Sequence, residues 1–300
     1  MQSSNDTAVQ AKGGIWLILM AAMLWGTTGT AQALAPTGAS SATVGAMRLA
    51  VGGAALLVVA LARGGLTGGG RWPLLATASA GGFIATYQLA FFAAVKATGV
   101  AVGTMVAIGS SPVLAGILAF LVRGERPGRR WFAATVVAVA GCVLLSGGGG
   151  GGLNVNPLGI ALALAAGGSY AAYALAIKSL LAGRSPEAVM AVAFCVGALM
   201  LAPLLVGADL GWLANPRGAL VILHLGVVAT AVSYILFARG LKTVSVANAV
   251  TLSLAEPLTA TILGVAVVRE HLTPTALCGV LLLFSGLAIL AVNPRRPPAP

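Results

Sequence analysis

The sequence predicts an all-α integral membrane protein, with ten transmembrane helices in two inverted five-helix repeats around a central cavity. Composition is the first reason: the 300 residues are 59% hydrophobic and 8% charged, whereas soluble domains carry about 25% charged residues. Apolar runs are the second, because each membrane helix needs about 20 apolar residues. An internal repeat is the third. Together they argue against a soluble enzyme, a secreted disulfide scaffold and a disordered chain.

Ten apolar runs can be traced along the chain, and short connections join them. A glycine-rich stretch, 147–156, is interpreted as a linker between a first repeat, 1–146, and a second repeat, 157–292. Residues 293–300 are then a cytoplasmic tail. The runs cover about 13–35, 40–62, 73–95, 100–122, 130–146, 157–181, 186–206, 215–238, 244–268 and 272–292.

The basic residues predict the orientation of these spans. With the N-terminus in the cytoplasm, thirteen of the 17 Lys and Arg fall inside and three fall outside, while Arg48 lies within the second span. Cytoplasmic loops of membrane proteins carry such an excess. We therefore expect both termini in the cytoplasm. The same distribution explains the net charge of +11, so no nucleic-acid partner is expected.

The two halves resemble each other at an offset of 145 residues. Pro112 corresponds to Pro257, Glu125 to Glu270, and Trp25 to Tyr170 at this offset. Five spans per half is an odd number, so the second half enters the membrane in the opposite sense. Inverted repeats are typical of secondary transporters, whose substrate site lies near the midplane between the repeats.

Charged residues within spans are few, and each allows more than one interpretation. A charge at the bilayer centre costs about 2.5–3.5 kcal/mol on insertion scales. Glu256 can bind a substrate ammonium group, carry a proton, or serve as a structural carboxyl where Pro257 frees the carbonyl of Ser253. Arg48 can bind a substrate carboxylate or hold neighbouring helices, and His224 can relay protons or simply pack.

Aromatic and uncharged polar residues gather at middle depth, which suits a pocket for an amphipathic organic solute. Packing between helices is the alternative for each ring. Pro112 and Pro257 are the predicted gating hinges, and the three cysteines lack metal-ligand spacing, so no metal or other cofactor is expected. The predicted substrate-binding residues are Trp25, Thr28, Arg48, Tyr87, Gln88, Ser110, Ser111, Tyr170, Tyr173, Tyr234, Asn248 and Glu256.

The order and spacing of several motifs resemble the EamA-type transporters of the drug/metabolite transporter superfamily. The resemblance covers nearly the whole chain, and overall it is greatest to the amino-acid exporters of the YddG type. The motifs are Trp25-Gly26, Arg48, Ser111-Pro112 with Gly124-Glu125, and Glu256-Pro257 with Arg269-Glu270.

The resemblance implies a multi-pass transporter of the inner membrane that exports neutral or aromatic amino acids, or similar small metabolites, by alternating access. Its expected partners are a small-molecule substrate and the lipid bilayer, and we expect a monomer, with a homodimer as the alternative. An exporter of drug-like cations that uses Glu256 as counter-charge is the main functional alternative. A membrane-embedded enzyme is remote, because Glu256, Arg48 and His224 lie on three separate spans.

Overall fold

The computed structural model describes residues 2–36, 38, 40–66, 70–147, 156–268 and 273–291, and there the regular elements are all helices. Most of the predicted linker, the tail 293–300 and the Arg269-Glu270 pair lie outside the described residues. The α-helices are α1 (Gln2–Ala33), α2 (Ser41–Ala62), α3 (Leu74–Thr98), α4 (Val100–Arg123), α5 (Arg129–Gly147), α6 (Pro157–Leu180), α7 (Pro186–Leu201), α8 (Pro216–Leu223), α9 (Ser233–Thr243), α10 (Val246–Leu252), α11 (Ala255–Leu263) and α12 (Pro274–Ala291). Two π-helical segments, His224–Val232 and Gly264–Val268, and two 3₁₀ helices, Ala202–Leu205 and Gly211–Ala214, complete the set.

Nine helical stretches of the described residues are long and apolar enough to cross a membrane. Three of them combine more than one element. Helix α7 continues into a 3₁₀ helix in Pro186–Leu205, the first π segment joins α8 to α9 in a 28-residue stretch, Pro216–Thr243, and α10 and α11 belong to Val246–Val267. The predicted all-helical membrane class is thereby confirmed.

Helix α5 is the predicted membrane span that the structure does not confirm. It coincides with the predicted span 130–146, but it is not among the nine candidates, and ten spans therefore stays a prediction. Its first two residues, Arg129 and Arg130, shorten the apolar stretch within its 19 residues. The Arg130 guanidinium donates to the carbonyl of Ile289 on α12, so this basic end is fixed to a neighbouring helix.

Helix starts are specified locally by capping residues. The side chains of Ser40, Asn156, Ser185 and Asn215 each accept a hydrogen bond from a backbone N–H in the first turn of the following helix. Proline follows the last three of these caps at the first helical position, where its missing N–H is not needed. These signals set where α2, α6, α7 and α8 begin.

Helices of the first half pack on helices of the second half throughout the bundle. The main pairs are α3 with α6 and α7, α4 with α6, α2 with α7, α1 with α9 and α11, and α5 with α12. Glycines allow the closest approach: a Cβ on Gly141 of α5 would lie 2.5 Å from the backbone nitrogen of Leu283 on α12. Small residues at such crossings are how membrane helices pack tightly without a hydrophobic driving force.

Replacing Gly141 with Ala is expected to lower the melting temperature of the protein in detergent. The added methyl group collides with the α12 backbone, and overpacking of this kind costs about 1–3 kcal/mol. Gly82→Ala on α3 is the matched control, because its Cβ would meet only Met200 at 3.9 Å. Differential scanning fluorimetry measures both variants. Equal melting temperatures for the two would contradict the close α5–α12 packing.

Candidate functional site

A cavity of about 410 Å³ lies between the two halves of the bundle. Side chains from α1, α2, α3, α4, α5, α6, α9 and the α10–α11 segment line it. A larger hollow of about 670 Å³ lies along α4 and α5 and is lined almost entirely by apolar groups. Its Phe120 and Phe132 are 50% and 65% exposed, so this hollow belongs to the outer surface. The smaller cavity is the candidate site because polar groups converge there.

The cavity brings together most of the residues that the sequence predicts for substrate binding, and Pro257 lines it too. They come from seven different helices, which supports a shared site over separate packing roles. Whether they bind substrate stays a prediction. The predicted residues that line the cavity are Trp25, Thr28, Arg48, Tyr87, Gln88, Ser111, Tyr170, Tyr234 and Glu256.

Three predicted residues are placed elsewhere. The Ser110 hydroxyl donates to the carbonyl of Ala107 at 3.3 Å. Tyr173 is fully buried and donates to the Met190 sulfur at 3.2 Å. Asn248 stands in the first turn of α10 and is not part of the cavity lining. Their depth in the span was predicted, but depth alone does not say which way a side chain faces.

Other lining residues were missed by the sequence analysis. Phe91 and Phe92 follow Gln88 at three and four residues, and Thr104 and Ile108 precede Ser111 at seven and three. Such spacings place residues on one face of a helix. Helical spacing from the predicted Gln88 and Ser111 was the signal that would have found them.

Glu256 stands directly after a break in its span. Helix α10 ends at Leu252 and α11 begins at Ala255. The carbonyl of Ser253 was expected to be left free by Pro257; instead it accepts from the Glu256 N–H at 3.0 Å. The Ser253 hydroxyl is also hydrogen-bonded to the Tyr170 hydroxyl at 3.0 Å. The break is therefore satisfied by a tighter turn and by a neighbouring helix.

Pro112, the counterpart of Pro257, behaves differently. Helix α4 runs without interruption through Pro112, and this proline does not line the cavity. The preceding Ser111 does line it, and its hydroxyl donates to the carbonyl of Ala107 at 2.7 Å. The two prolines are thus related in sequence, and only the one in the second half coincides with a broken helix.

Arg48 and Glu256 both line the cavity, and the ion pairs of the described residues do not join them. Arg48 has the Tyr234 hydroxyl as a hydrogen-bonding neighbour in the same lining. Arg48 and Glu256 are the charged side chains of the cavity lining. The site accordingly holds one positive and one negative group that are not joined in an ion pair.

His224 is placed beside the cavity and does not line it. It begins the first π segment, and its Nε2 is hydrogen-bonded to the Thr27 hydroxyl of α1 at 2.8 Å. Wider π turns of this kind are frequent at functional sites. A role for His224 or Glu256 in proton coupling stays a prediction.

The cavity lies toward one end of the bundle, which we name the cavity face. Its α1 residues, from Trp25 to Gln32, come from the last turns of that helix, and Arg48 comes from the second turn of α2. Toward the other end, aromatic rings form a floor: Tyr234 packs on Phe194 with ring centroids 4.5 Å apart, and Phe237 is fully buried.

An ion-pair cluster closes the opposite end, which we name the closed face. Glu187, at the start of α7 and 5% exposed, pairs with Arg63 at the end of α2 at 3.2 Å and with Arg239 of α9. Nearby, Lys178 of α6 donates to the carbonyls of Leu241 and Val244. A helix of 22 residues spans about 33 Å, so the cluster is far from the entrance of the cavity.

Membrane-length helices from two halves around a central cavity are typical of secondary transporters. This chain belongs to the EamA-like transporter family, whose model matches residues 12–147 and again residues 157–292. The uncharacterized transporter YwfM of Bacillus subtilis (strain 168) is 44% identical over 288 residues, or 95% of this chain and 96% of that protein.

Two further comparisons agree with this class. The uncharacterized inner membrane transporter YicL of Salmonella typhimurium (strain LT2) is 24% identical over 212 residues, or 70% of either chain. A crystal structure aligns with a TM-score of 0.82 and 22% identity, covering 93% of this chain and 96% of its own. The structural likeness shows a shared fold. The family predicted from the sequence motifs is confirmed.

Replacing Glu187 with Gln is expected to expose the cavity from the closed face. The variant loses the two ion pairs that join α2, α7 and α9, and each partly exposed pair contributes about 0–1 kcal/mol, so labelling from this face should rise by up to about fivefold for each pair lost. The readout is reaction of an impermeant maleimide with Thr28→Cys after replacement of the native cysteines. Membrane vesicles of both orientations distinguish the two faces.

Asp209→Asn is the control for that experiment. Asp209 is an exposed carboxylate between α7 and α8, and it accepts a hydrogen bond from the Gly211 N–H at 2.8 Å. Its loss should leave the labelling rate unchanged. If Glu187→Gln labels no faster than Asp209→Asn, the ion-pair cluster does not hold the closed face shut.

Proposed function

We propose that this protein exports neutral and aromatic amino acids, or similar small metabolites, across the inner membrane by alternating access. The observation that carries the proposal is the pair of opposite charges in the cavity, Arg48 and Glu256, which do not form an ion pair. A zwitterionic solute offers one partner to each. The rings of Trp25, Tyr87 and Tyr170 in the same lining suit an apolar or aromatic side chain.

Alternating access is supported by the difference between the two ends of the bundle. The cavity lies toward one face, whereas rings and the Glu187 cluster close the other. The double family match, 12–147 and 157–292, agrees with two inverted repeats that exchange roles. The excess of Lys and Arg at the predicted inner loops supports cytoplasmic termini, and the name of YicL supports the inner membrane.

Export of drug-like cations is the second candidate function. Glu256 is the acidic residue of the cavity lining, and several aromatic rings surround the same space. A cation attracted by ring faces and a single carboxylate needs no contact with Arg48. The two candidates therefore differ in what Arg48 contributes.

Counterflow in proteoliposomes tests the proposal. Vesicles loaded with unlabelled neutral amino acids should transiently accumulate labelled phenylalanine or threonine above protein-free controls. Arg48→Gln should lower amino-acid uptake about tenfold, because a hydrogen bond to a charged group is lost. The same variant should leave uptake of a cation such as tetraphenylphosphonium unaffected.

The opposite pattern would contradict amino-acid export. Accumulation of cations alone, abolished by Glu256→Gln and unaffected by Arg48→Gln, would establish the second candidate. Repeating the assay with a pH gradient asks whether transport is coupled to protons.

A further inference from the structure

We propose that Gln88, Arg48 and Trp25 form a carboxylate-binding site in the cavity, while Glu256 of α11 takes the ammonium group of the same solute. The inference rests on the proposed function and names the groups that would hold an amino acid. It gives the solute a fixed orientation, with its carboxylate against α1, α2 and α3.

Unsatisfied donors are the first observation. Among the described residues, the buried side-chain nitrogens without a hydrogen-bond partner include Nε1 of Trp25, Nε of Arg48 and Nε2 of Gln88, and all three residues line the cavity. Trp25 and Gln88 are each only 4% exposed. Each atom carries an N–H donor, and buried donors require acceptors. A solute with several acceptor oxygens supplies them together.

Gly45 explains how two of these donors come to lie together. A Cβ at Gly45 would be 3.2 Å from Nε2 of Gln88 and 2.7 Å from the ring of Phe92. The missing side chain therefore lets the Gln88 amide rest against α2. Arg48 follows Gly45 by three residues, so both lie on one face of that helix. The Gln88 amide and the Arg48 guanidinium therefore lie on the same side of the contact between α2 and α3.

The two charges of the cavity lining indicate which chemical group accepts these hydrogen bonds. Arg48 is the basic residue of the cavity lining, and Glu256 is the acidic one. A multiply charged anion such as a phosphate would meet one guanidinium and be repelled by the nearby carboxylate. A neutral carbonyl compound would leave both charges without a partner. A single carboxylate joined to an ammonium group satisfies the three donors and Glu256 together.

The test compares phenylalanine with phenylethylamine, which has the same ring and ammonium group but no carboxylate. Apparent affinities are taken from ligand-induced thermal stabilisation of the purified full-length protein. The wild type should bind phenylalanine at least about tenfold more tightly than phenylethylamine, the discrimination expected for hydrogen bonds to a charged group. Gln88→Leu should weaken phenylalanine binding about tenfold and change phenylethylamine binding less than about twofold.

Two further variants keep the test decisive. Gln88→Glu has the same size and should reject phenylalanine more strongly than Gln88→Leu does, while binding phenylethylamine more tightly, because it replaces a donor with a second carboxylate. Gln32→Leu removes an amide that also lines the cavity but is not among the unsatisfied donors. It should retain the wild-type preference for phenylalanine.

The outcomes separate this inference from the proposed function. If phenylalanine binds and the Gln88 variants weaken both ligands equally or neither, the carboxylate site is overturned and amino-acid transport stands. If the wild type binds phenylethylamine but not phenylalanine, or binds neither, both are overturned. A loss confined to phenylalanine in Gln88→Leu and Gln88→Glu, with the preference retained in Gln32→Leu, supports the assignment.

Discussion

Holding a carboxylate inside an apolar bundle is the constraint on which the rest of the site depends. A charge at the bilayer centre costs about 2.5–3.5 kcal/mol on insertion scales, unless it faces a cavity or a partner. Glu256 meets this condition by facing a polar cavity that also contains Arg48. The broken span around it needs its own compensation, which the Glu256 N–H and the Tyr170 hydroxyl supply at Ser253. Charge, helix break and cavity therefore occur together.

The repeat in the sequence does not produce two equal halves at the site. Pro112 and Pro257 share a position in the repeat, yet α4 is continuous and the α10–α11 span is broken. Ser111 and Ser253 each donate to the carbonyl four residues earlier in their own helix, and Ser253 is in addition hydrogen-bonded across to Tyr170. The two repeats therefore give the cavity one continuous wall and one broken wall.

Much of the architecture could be predicted because hydropathy and polarity act locally along the chain. The helices follow from the apolar runs, and the rare polar groups within them place Glu256, Arg48 and Tyr170 at the depth of one cavity. The family was recognised from the resemblance of its motifs. The depth of a residue in its span does not say which way its side chain points. For this reason Ser110 and Tyr173 were predicted to bind substrate although neither lines the cavity. The π segment around His224 and the tight turn at Ser253 are local departures from α-helical geometry. No sequence pattern predicted them.

In the alternating-access mechanism that we propose, the barrier to opening the closed face is set more by packing than by charge. Exposed ion pairs contribute about 0–1 kcal/mol, and the two arginines that hold Glu187 are themselves 61% and 40% exposed at their side chains. Each aromatic pair contributes about 0.5–1.5 kcal/mol beyond the burial of its surface, and Tyr234 contacts Trp25, Phe194 and Tyr173. Tyr234 also lines the cavity. In the proposed mechanism, a solute that displaces the Tyr234 ring would weaken its packing on Phe194, so this side chain would link binding in the cavity to opening of the closed face.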